Sequence, residues 1–283
     1  MSAATEVSTS AVRVAMLGSG SMGGAILAGL QNPESGVASP IEVTTRSAAS
    51  AAALTNPRVH AVALEDNAEA NRLAVADADI VVLGVKPWLI VELAGEIADA
   101  VKPGTIVVSV AAGVTAARIE AQLPDTVSVV RVMPNTPSTI GLGVAGVAAG
   151  SRATEVEVAA VARLFETVGT VVIVDESKIN DVAAVSGSGP AYLFYFTEML
   201  EAAARRRGFG DEEARTMAYE TVIGAAALLK HSGEDAAELR RRVTSPKGTT
   251  ERAIEVFQGA GWDDVFDRAL AANAARSVEL EQG

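Results

Sequence analysis

The chain has 283 residues, 49% of them hydrophobic, and carries a formal net charge of −12. A chain of this length and composition can bury enough apolar surface for one large globular domain or two ordinary ones. The negative charge argues against a general nucleic-acid binder, because neutralising phosphates requires clustered Lys and Arg. The absence of cysteine excludes disulfides, thiolate metal sites and a cysteine nucleophile, and it fits a reducing compartment.

The first ten residues, MSAATEVSTS, lack the basic start and the apolar stretch of a secretory signal. No later segment has about 18 uninterrupted apolar residues, the minimum for a membrane-spanning helix. We therefore expect a cytoplasmic protein with no membrane partner and no nucleic-acid partner, whose residues 1–11 form a flexible tail. Two arginine triplets, Arg205–Arg207 and Arg240–Arg242, are interpreted as solvated helix ends, where cations meet the negative end of the helix dipole.

Between residues 12 and 175, short runs of Val, Ile and Leu alternate with Ala-rich segments of helix length. Near-continuous apolar strands separated by helices indicate a parallel sheet that is covered on both faces. The predicted strands are VRVAMLG (12–18), IEVTTR (41–46), DIVVLGV (79–85), TIVVSV (105–110), SVVRVM (128–133) and TVVIV (170–174). The pattern predicts a doubly wound, Rossmann-like α/β domain over residues 12–175.

After residue 175 the sequence indicates helices only, over 190–208, 211–231, 234–243, 250–258 and 262–281. Gly189 is the predicted N-cap of the first of these helices, with Pro190 in its first turn, and Asp211 is the predicted N-cap of the second. The first helix carries Tyr192–Phe196 and is apolar on nearly every side, so it must be buried all round. We therefore expect residues 176–283 to form an all-helical domain that makes at least a homodimer. Burial against the N-terminal domain of the same chain is the alternative.

The sequence GSGSMGG, residues 18–24, directly follows the first predicted strand and opens a helical segment. Gly18, Gly20 and Gly23 form the pattern GxGxxG, which permits a tight turn, a close approach of backbone to pyrophosphate and close packing of helix on strand. The helix start also offers unpaired N–H groups to phosphate. This context favours a dinucleotide site formed by Gly18, Ser19, Gly20, Ser21, Met22 and Gly23.

The second predicted strand ends in TTRS, where an NAD-binding domain would carry an acidic side chain. Hydroxyls and the guanidinium of Arg46, with Ser47 beside it, suit the 2′-phosphate of NADP instead. Glu42 is acidic but lies inside the strand and should not reach the ribose. NADPH is therefore the predicted cofactor, and NADH is the second choice.

Further cofactor contacts are predicted at the other strand ends, because ligands of doubly wound sheets gather at the carboxyl ends of strands. Ordinary turn chemistry is the alternative at each position. The candidates are Val85, Lys86, Pro87, Ala111, Ala112, Gly113 and Asn135.

Residues 243–250, VTSPKGTT, separate two predicted helices and contain few helix formers. Pro246 and Gly248, followed by two threonines, indicate the start of a helix that continues through ERAIEVF. A helix start leaves N–H groups unpaired and carries positive dipole charge, so it can bind a carboxylate. On the local sequence alone, a linker is the alternative.

Five segments together resemble the pyrroline-5-carboxylate reductase family, over about residues 12–281: GSGSMGG, VKP (85–87), MPNTP (133–137), SGSGPAY (186–192) and VTSPKGTT. The resemblance implies NAD(P)H-dependent reduction of the cyclic imine 1-pyrroline-5-carboxylate to L-proline, the final step of proline biosynthesis. It also implies a Rossmann domain followed by a helical dimerisation domain whose helices interleave with those of a partner. Some members of the family assemble dimers into larger rings.

By the same resemblance, Thr250 is the catalytic residue near the imine nitrogen, and Gly248 and Thr249 supply backbone donors to the substrate carboxylate. Glu176 corresponds to an acidic residue on the substrate side. Asn67 corresponds to an asparagine near the adenosine half of the cofactor.

Two positions depart from the family pattern. The family commonly has glycine where Lys247 stands, and threonine where Ala183 stands. Lys247 keeps a charge suited to a carboxylate but leaves the conformation of its loop open.

The residues that are missing also favour imine reduction. Oxidising an alcohol needs a general base, whereas reducing a C=N bond needs hydride delivery and a protonated nitrogen. Related hydroxyacid dehydrogenases place a lysine in the helix after a comparable glycine turn, and here AYLFYFTEML (191–200) has none. His60 and His231 are expected to be structural or solvent-facing, and no metal site is expected. The alternatives are another imine or keto-acid reductase on the same plan and a non-catalytic NADPH-binding sensor.

Overall fold

The computed structural model describes residues 11–282, so the predicted tail lies outside the described residues except for residue 11. The chain divides into two compact units. Among the described residues, the first unit contains 11–187 together with 273–282, and the second contains 188–272.

An eight-stranded sheet forms the centre of the first unit. Its strands are β1 (Val14–Leu17), β2 (Ile41–Thr45), β3 (Val59–Ala63), β4 (Ile80–Leu83), β5 (Ile106–Ser109), β6 (Ser128–Met133), β7 (Gly143–Ala149) and β8 (Gly169–Ile173). They lie in the order β3-β2-β1-β4-β5-β6-β7-β8. Strands β1 to β6 are parallel, β7 runs antiparallel to β6, and β8 is parallel to β7.

All six predicted strands are confirmed, and β3 and β7 were missed. The sequence of β3, VHAVA, contains a histidine and two alanines, and that of β7, GVAGVAA, contains no large side chain. Gly and Ala are depleted in strands, so neither segment gives a strong strand signal. The sheet is therefore wider than the sequence indicates, and one of its missed strands runs antiparallel.

Helices cover both faces of this sheet, as predicted. The helices of this unit are α1 (Ser21–Leu30), α2 (Ala48–Ala52), α3 (Ala70–Val75), α4 (Ile90–Ile97), α5 (Ala116–Glu120), α6 (Glu155–Glu166) and α7 (Ile179–Val182). Successive side chains of β1 point into opposite cores. Val14 and Met16 pack in the core that contains α1 and α6, whereas Ala15 and Leu17 pack in the core that contains α3, α4 and α5.

The two compact units meet after residue 187, and the domain boundary predicted after residue 175 stays a prediction. Residues 176–187 stay with the sheet because Ile179, Ala183 and Ala184 are buried there. Residues 273–281 also belong to this unit, where Ser277 is 8% exposed. The first unit therefore includes residues 176–187 and the C-terminal part of α12.

The second unit is entirely helical, and all five predicted helices are confirmed. The observed N-caps are Ser188 and Gly210, each one residue before the predicted caps, Gly189 and Asp211. The helices are α8 (Gly189–Arg206), α9 (Asp211–Ser232), α10 (Ala236–Arg242), α11 (Thr249–Gly259) and α12 (Trp262–Gln282), the last of which ends in the first unit.

The apolar helix α8 is not buried by the other helices of the second unit. None of its described residues is buried, and Phe194 and Tyr195 are 61% and 62% exposed. These large side chains are therefore available to a partner.

The arginine triplets are solvated helix ends, as predicted. Arg205 forms ion pairs with Glu201 and Asp211, and Arg242 pairs with Glu234 and Glu238. Hydrogen bonding to Asp211 raises the pKa of the Arg205 guanidinium. No helix between residues 11 and 282 has both the length and the apolar composition required to cross a bilayer.

Candidate functional site

The strand order of the sheet changes direction at β1: β2 and β3 follow on one side of it, and β4, β5 and β6 follow on the other. Ligands of doubly wound sheets bind at the carboxyl ends of the strands at such a switch point. Gly18 follows β1 and Gly84 follows β4, and the Gly84 amide donates to the Leu17 carbonyl oxygen at 2.8 Å. Gly84 was not singled out from the sequence, because its role depends on a strand that is distant along the chain.

The glycine turn is packed so closely that side chains cannot enter it. Gly18 has a φ of +90°, and a Cβ there would lie 2.9 Å from Val85 Cγ1. A Cβ on Gly23 would lie 2.6 Å from the Gly18 carbonyl oxygen, and one on Gly84 would clash with the same atom. Gly20 differs, because a Cβ there would have no atom within 4 Å. Open space therefore lies over Gly20.

The start of α1 fits the pyrophosphate of a dinucleotide. Gly20 is its N-cap, no side chain caps the helix, and its first turn has no acidic residue. The first amides of a helix lack partners within it, here those of Ser21, Met22 and Gly23. Ser19 precedes them at the partly exposed surface. These donors and the open space over Gly20 form a cradle for an anionic group.

Four polar side chains were predicted at the end of β2, residues 44–47, and two of them are free to contact a phosphate. Thr44 and Thr45 are buried, and their hydroxyls donate to Asn71 Oδ1 at 2.7 Å and to the Ser47 carbonyl oxygen at 3.0 Å. Arg46 is exposed and makes no hydrogen bond or ion pair with the described residues. Ser47 is the N-cap of α2. Arg46 and Ser47 therefore remain as the candidates for the 2′-phosphate.

An acidic residue that the sequence did not indicate lies beside this position. Glu65 follows β3, the missed strand, and its carboxylate accepts a hydrogen bond from the Ala48 amide at the start of α2. Asn67, two residues further on, accepts from the Glu69 amide at 3.0 Å through its side-chain oxygen. Negative charge therefore stands beside Arg46 and Ser47.

The second strand also contains the acid that was predicted not to reach the ribose. Glu42 lies opposite His60 in the register of β2 and β3, and its Oε2 is 2.7 Å from His60 Nδ1. His60 is exposed, as expected of a structural or solvent-facing histidine, and it contacts Glu42 across the two strands. His231 lies exposed in the last turn of α9, as expected.

The turns after β4 and β6 place their predicted residues differently. Val85 packs by the glycine turn, while Lys86, which precedes Pro87, is exposed. Asn135 is 6% exposed, and its amide is used inside the unit: Nδ2 donates to the Ser186 carbonyl oxygen and Oδ1 accepts from the Val144 amide, both at 2.9 Å. A contact of Asn135 with the cofactor remains a prediction beside this structural role.

The turn after β5 contains Ala111, Ala112 and Gly113. Gly113 is in the left-handed region, with φ at +72°, and a Cβ there would lie 2.9 Å from Leu280 Cβ. Because β5 is parallel to β4 and beside it, this turn lies at the same edge of the sheet as Gly84. Its side chains carry no polar atoms, so any polar contact with a cofactor comes from its backbone.

Glu176 has internal partners in the first unit. Its Oε1 accepts from the Ala116 amide at 2.7 Å and from Arg131 Nη1 at 3.2 Å. Arg131 was not singled out from the sequence, because it lies inside an apolar strand and is only 3% exposed. Glu176 therefore has a structural role in the first unit, and its contact with substrate stays a prediction.

The start of α11, in the second unit, places the remaining predicted residues. Gly248 is the N-cap, but its amide donates to the Ser245 carbonyl oxygen at 2.9 Å. Thr249 and Thr250 are the first residues of the helix, and the first amides of a helix have no partner within it. The backbone donors available to a carboxylate are therefore those of Thr249 and Thr250, and that of Gly248 is already used.

The backbone conformation of Lys247 is one that favours glycine. Its φ is +60°, the left-handed region, which residues other than glycine rarely adopt. The strained turn is held by a hydrogen bond of 2.7 Å from the Lys247 amide to Glu251 Oε2. The structure thus resolves the loop conformation that the sequence left open.

Residues 11–282 hold no group of three or more His, Asp or Glu side chains arranged to bind a metal ion. All predicted cofactor residues and Glu176 lie in the first unit, whereas Gly248, Thr249 and Thr250 lie in the second.

Two family models match the chain. Residues 176–280 match the model described as pyrroline-5-carboxylate reductase dimerisation, and residues 13–113 match that described as NADP oxidoreductase, coenzyme F420-dependent. A pyrroline-5-carboxylate reductase of Pseudomonas aeruginosa is 37% identical over 271 residues, which cover 95% of this chain and 97% of that protein. The chain belongs to the pyrroline-5-carboxylate reductase family. The resemblance inferred from the sequence motifs is confirmed.

Solved structures agree with this assignment. A pyrroline-5-carboxylate reductase of Coxiella burnetii is 34% identical with a TM-score of 0.87, and the match covers 95% of this chain and 98% of that chain. The pyrroline carboxylate reductase of Plasmodium falciparum, solved with NADP bound, matches with a TM-score of 0.79, covering 96% of this chain and 99% of that chain. Its identity is 21%, so this likeness shows the fold alone.

Proposed function

We propose that this member of the pyrroline-5-carboxylate reductase family reduces 1-pyrroline-5-carboxylate to L-proline with NADPH, the final step of proline biosynthesis. The observation that carries the proposal is the 37% identity to a pyrroline-5-carboxylate reductase across 95% of the chain. The glycine edge of the sheet and the open start of α11 support it, since they suit a dinucleotide and a carboxylate respectively.

The proposed substrate site is the start of α11. The amides of Thr249 and Thr250 are the first in the helix, so they can donate to the substrate carboxylate with support from the helix dipole. Gly248 keeps the approach to these amides free of side-chain bulk. Lys247 adds positive charge beside the turn.

The proposed chemistry needs no general base from the chain. When bound, NADPH supplies the hydride for the carbon of the C=N bond. The imine nitrogen is protonated before the hydride arrives and keeps that proton in the product, so the step balances without a proton from the chain, and the Thr250 hydroxyl hydrogen-bonds near this nitrogen. Orientation and proximity then provide most of the rate enhancement, as in other reactions between positioned reactants.

The proposed preference for NADPH over NADH depends on Arg46 and Ser47. An exposed guanidinium with no partner among the described residues is available to the 2′-phosphate, and charge-assisted hydrogen bonds to phosphate are strong. Glu65 opposes this preference, because its carboxylate lies at the Ala48 amide. The preference for NADPH over NADH therefore depends on the balance between attraction of the 2′-phosphate by Arg46 and its repulsion by Glu65.

The proposed assembly is a homodimer formed through the second unit, in which α8 contributes Phe194 and Tyr195. Both side chains are more than half exposed in the single chain, and large exposed apolar patches mark interaction sites. The name of the matching family model, pyrroline-5-carboxylate reductase dimerisation, supports the same assembly. Association of dimers into rings and a cytoplasmic location remain predictions.

Oxidation of NADPH in the presence of 1-pyrroline-5-carboxylate tests the proposed function. We expect faster turnover with this cyclic imine than with open-chain keto acids at equal concentration. Faster turnover of a keto acid would identify a different reductase on the same plan. Binding of NADPH without turnover of either substrate would indicate a sensor.

A further inference from the structure

A buried arginine joins three segments of the first unit that are far apart in sequence. Arg131 Nη1 lies 3.2 Å from Glu176 Oε1, and its Nη2 lies 3.5 Å from Glu281 Oε1. Asn180 Nδ2 donates to the same Glu281 oxygen at 3.2 Å. We name these four residues the Arg131 cluster. Because a buried charge is costly unless it is paired and hydrogen-bonded, the cluster constrains all of its members.

The cluster is connected to the end of the loop between β5 and α5. Glu176 Oε1 accepts a hydrogen bond of 2.7 Å from the amide of Ala116, the first residue of α5. The same oxygen accepts from Arg131. The position of Ala116 therefore depends on the carboxylate that Arg131 holds.

The C-terminal turn of α12 supports the same loop from a second direction. The carbonyl oxygen of Glu281 accepts from Arg118 Nη1, on α5, at 2.7 Å. Leu280 packs so closely against Gly113 that a Cβ on the glycine would lie 2.9 Å from Leu280 Cβ. Residues 110–115 are therefore held at their middle by Leu280 and at their end by the cluster.

We propose that Arg131, Glu176 and Glu281 are positioning residues for cofactor binding, because they fix the backbone of residues 111–113. This inference rests on the proposed binding of NADPH at the carboxyl edge of the sheet. The loop has no polar side chain at these three positions, so its contacts with the cofactor depend on where its backbone groups lie. Glu176 then acts on the cofactor through the loop, whatever its contact with substrate.

Glu281 allows a test with a matched control. Glu279 lies on the same helix, pairs with Arg276 at 2.6 Å on the exposed surface, and takes no part in the cluster. Glu281→Gln keeps an oxygen that accepts from Arg131 and Asn180, whereas Glu281→Ala removes the acceptor. Calorimetry measures the dissociation constant of NADPH for the wild type, for these two variants and for the control Glu279→Ala.

We expect Glu281→Ala to raise the NADPH dissociation constant about tenfold, which corresponds to about 1.4 kcal/mol. Glu281→Gln should change it by about twofold or less, and Glu279→Ala should leave it unchanged. In Glu281→Ala, the KM for NADPH should rise while kcat at saturating NADPH stays within about twofold, because uniform binding is lost. A residue with only a structural role would lower the melting temperature without this split.

Equal NADPH affinity of Glu281→Ala and the wild type would overturn the proposal, whatever their melting temperatures. If Glu281→Ala does not fold, Arg118→Met decides, because it removes the donor to the Glu281 carbonyl oxygen from an exposed position on α5. We expect a rise of about threefold in the NADPH dissociation constant, and an unchanged constant would overturn the proposal. A wild type that binds NADPH but does not reduce the imine would contradict the proposed function. The NADPH dissociation constants of the same variants would still test the positioning role, because they do not depend on imine reduction.

Discussion

Gly18 and Gly20, the first two glycines of the glycine turn, should respond differently to alanine substitution. At Gly18, where φ is +90°, a methyl group would lie 2.9 Å from Val85 Cγ1 and 3.1 Å from the backbone of Gly84. At Gly20, the N-cap of α1, φ is −63° and no atom lies within 4 Å of the new methyl group. Gly18→Ala therefore tests the fold, and Gly20→Ala tests the cofactor site.

The expected magnitudes follow from these surroundings. A left-handed conformation costs an L-residue about 1–2 kcal/mol, and crowding in a packed site adds about 1–3 kcal/mol. Alanine offsets about 0.4–1 kcal/mol of this by restricting the unfolded chain. Gly18→Ala should thus lower the free energy of unfolding by about 1–5 kcal/mol. In Gly20→Ala, alanine again restricts the unfolded chain, but it is a poorer N-cap than glycine. The two effects oppose each other, so the free energy of unfolding should change by no more than about 0.5 kcal/mol.

Urea unfolding measures the two stabilities, and calorimetry with NADPH measures the affinities. Gly20→Ala should bind NADPH at least about tenfold more weakly, because its methyl group occupies the space over the turn where the pyrophosphate must approach the backbone. Unchanged NADPH affinity in a stable Gly20→Ala protein would refute the assignment of this turn to the dinucleotide.

Four further substitutions test other parts of the account. Thr250→Val keeps the side-chain shape and should lower kcat by about ten- to a hundredfold, for a loss of about 1.4–2.7 kcal/mol in the transition state, with unchanged NADPH affinity; an unchanged kcat would remove Thr250 from the chemistry. Arg46→Asp should raise the KM for NADPH at least about tenfold, because a charge-assisted contact is worth about 1.5–3 kcal/mol, and leave the KM for NADH nearly constant; equal effects on both cofactors would contradict the role of Arg46. Phe194→Glu should convert the dimer into a monomer in sedimentation velocity, because an unpaired charge in an apolar interface costs about 3–5 kcal/mol, whereas a monomeric wild type at micromolar concentration would contradict the proposed interface. Lys247→Gly should raise the free energy of unfolding by up to about 1.6 kcal/mol, since it relieves about 1–2 kcal/mol of left-handed strain and adds about 0.4–1 kcal/mol of entropy to the unfolded chain; clear destabilisation in urea would contradict that balance.

The parts of the fold and site that the sequence predicted depend on local chemistry. The glycine turn from Gly18 to Gly23 and the helix start at Thr249 are defined by residue types at short spacing, and both lie where they were predicted. Five of the helices after residue 187 were also predicted, because helical composition and caps are local signals. These elements carry the family resemblance.

The parts that were missed depend on neighbours distant along the chain. Gly84 and Glu65 acquire their roles only when β4 lies beside β1 and β3 beside β2. Arg131 and Glu281 are 150 residues apart, and neither lies in a motif. The hydroxyl of Thr44 was assigned to a phosphate from its position at a strand end, but it donates to the buried side chain of Asn71. Long-range pairing of this kind leaves no periodicity in the sequence.

The central claim is that a hydride passes from NADPH to the imine carbon of 1-pyrroline-5-carboxylate. NADPH carrying deuterium at carbon 4 of the nicotinamide, prepared in each of its two stereochemical forms, tests this claim directly when the proline product is examined by mass spectrometry. With one of the two forms, the account predicts L-proline that carries a single deuterium at carbon 5, in an amount equal to the NADPH consumed. Proline without label from both forms, or oxidation of NADPH without formation of proline, would contradict the account.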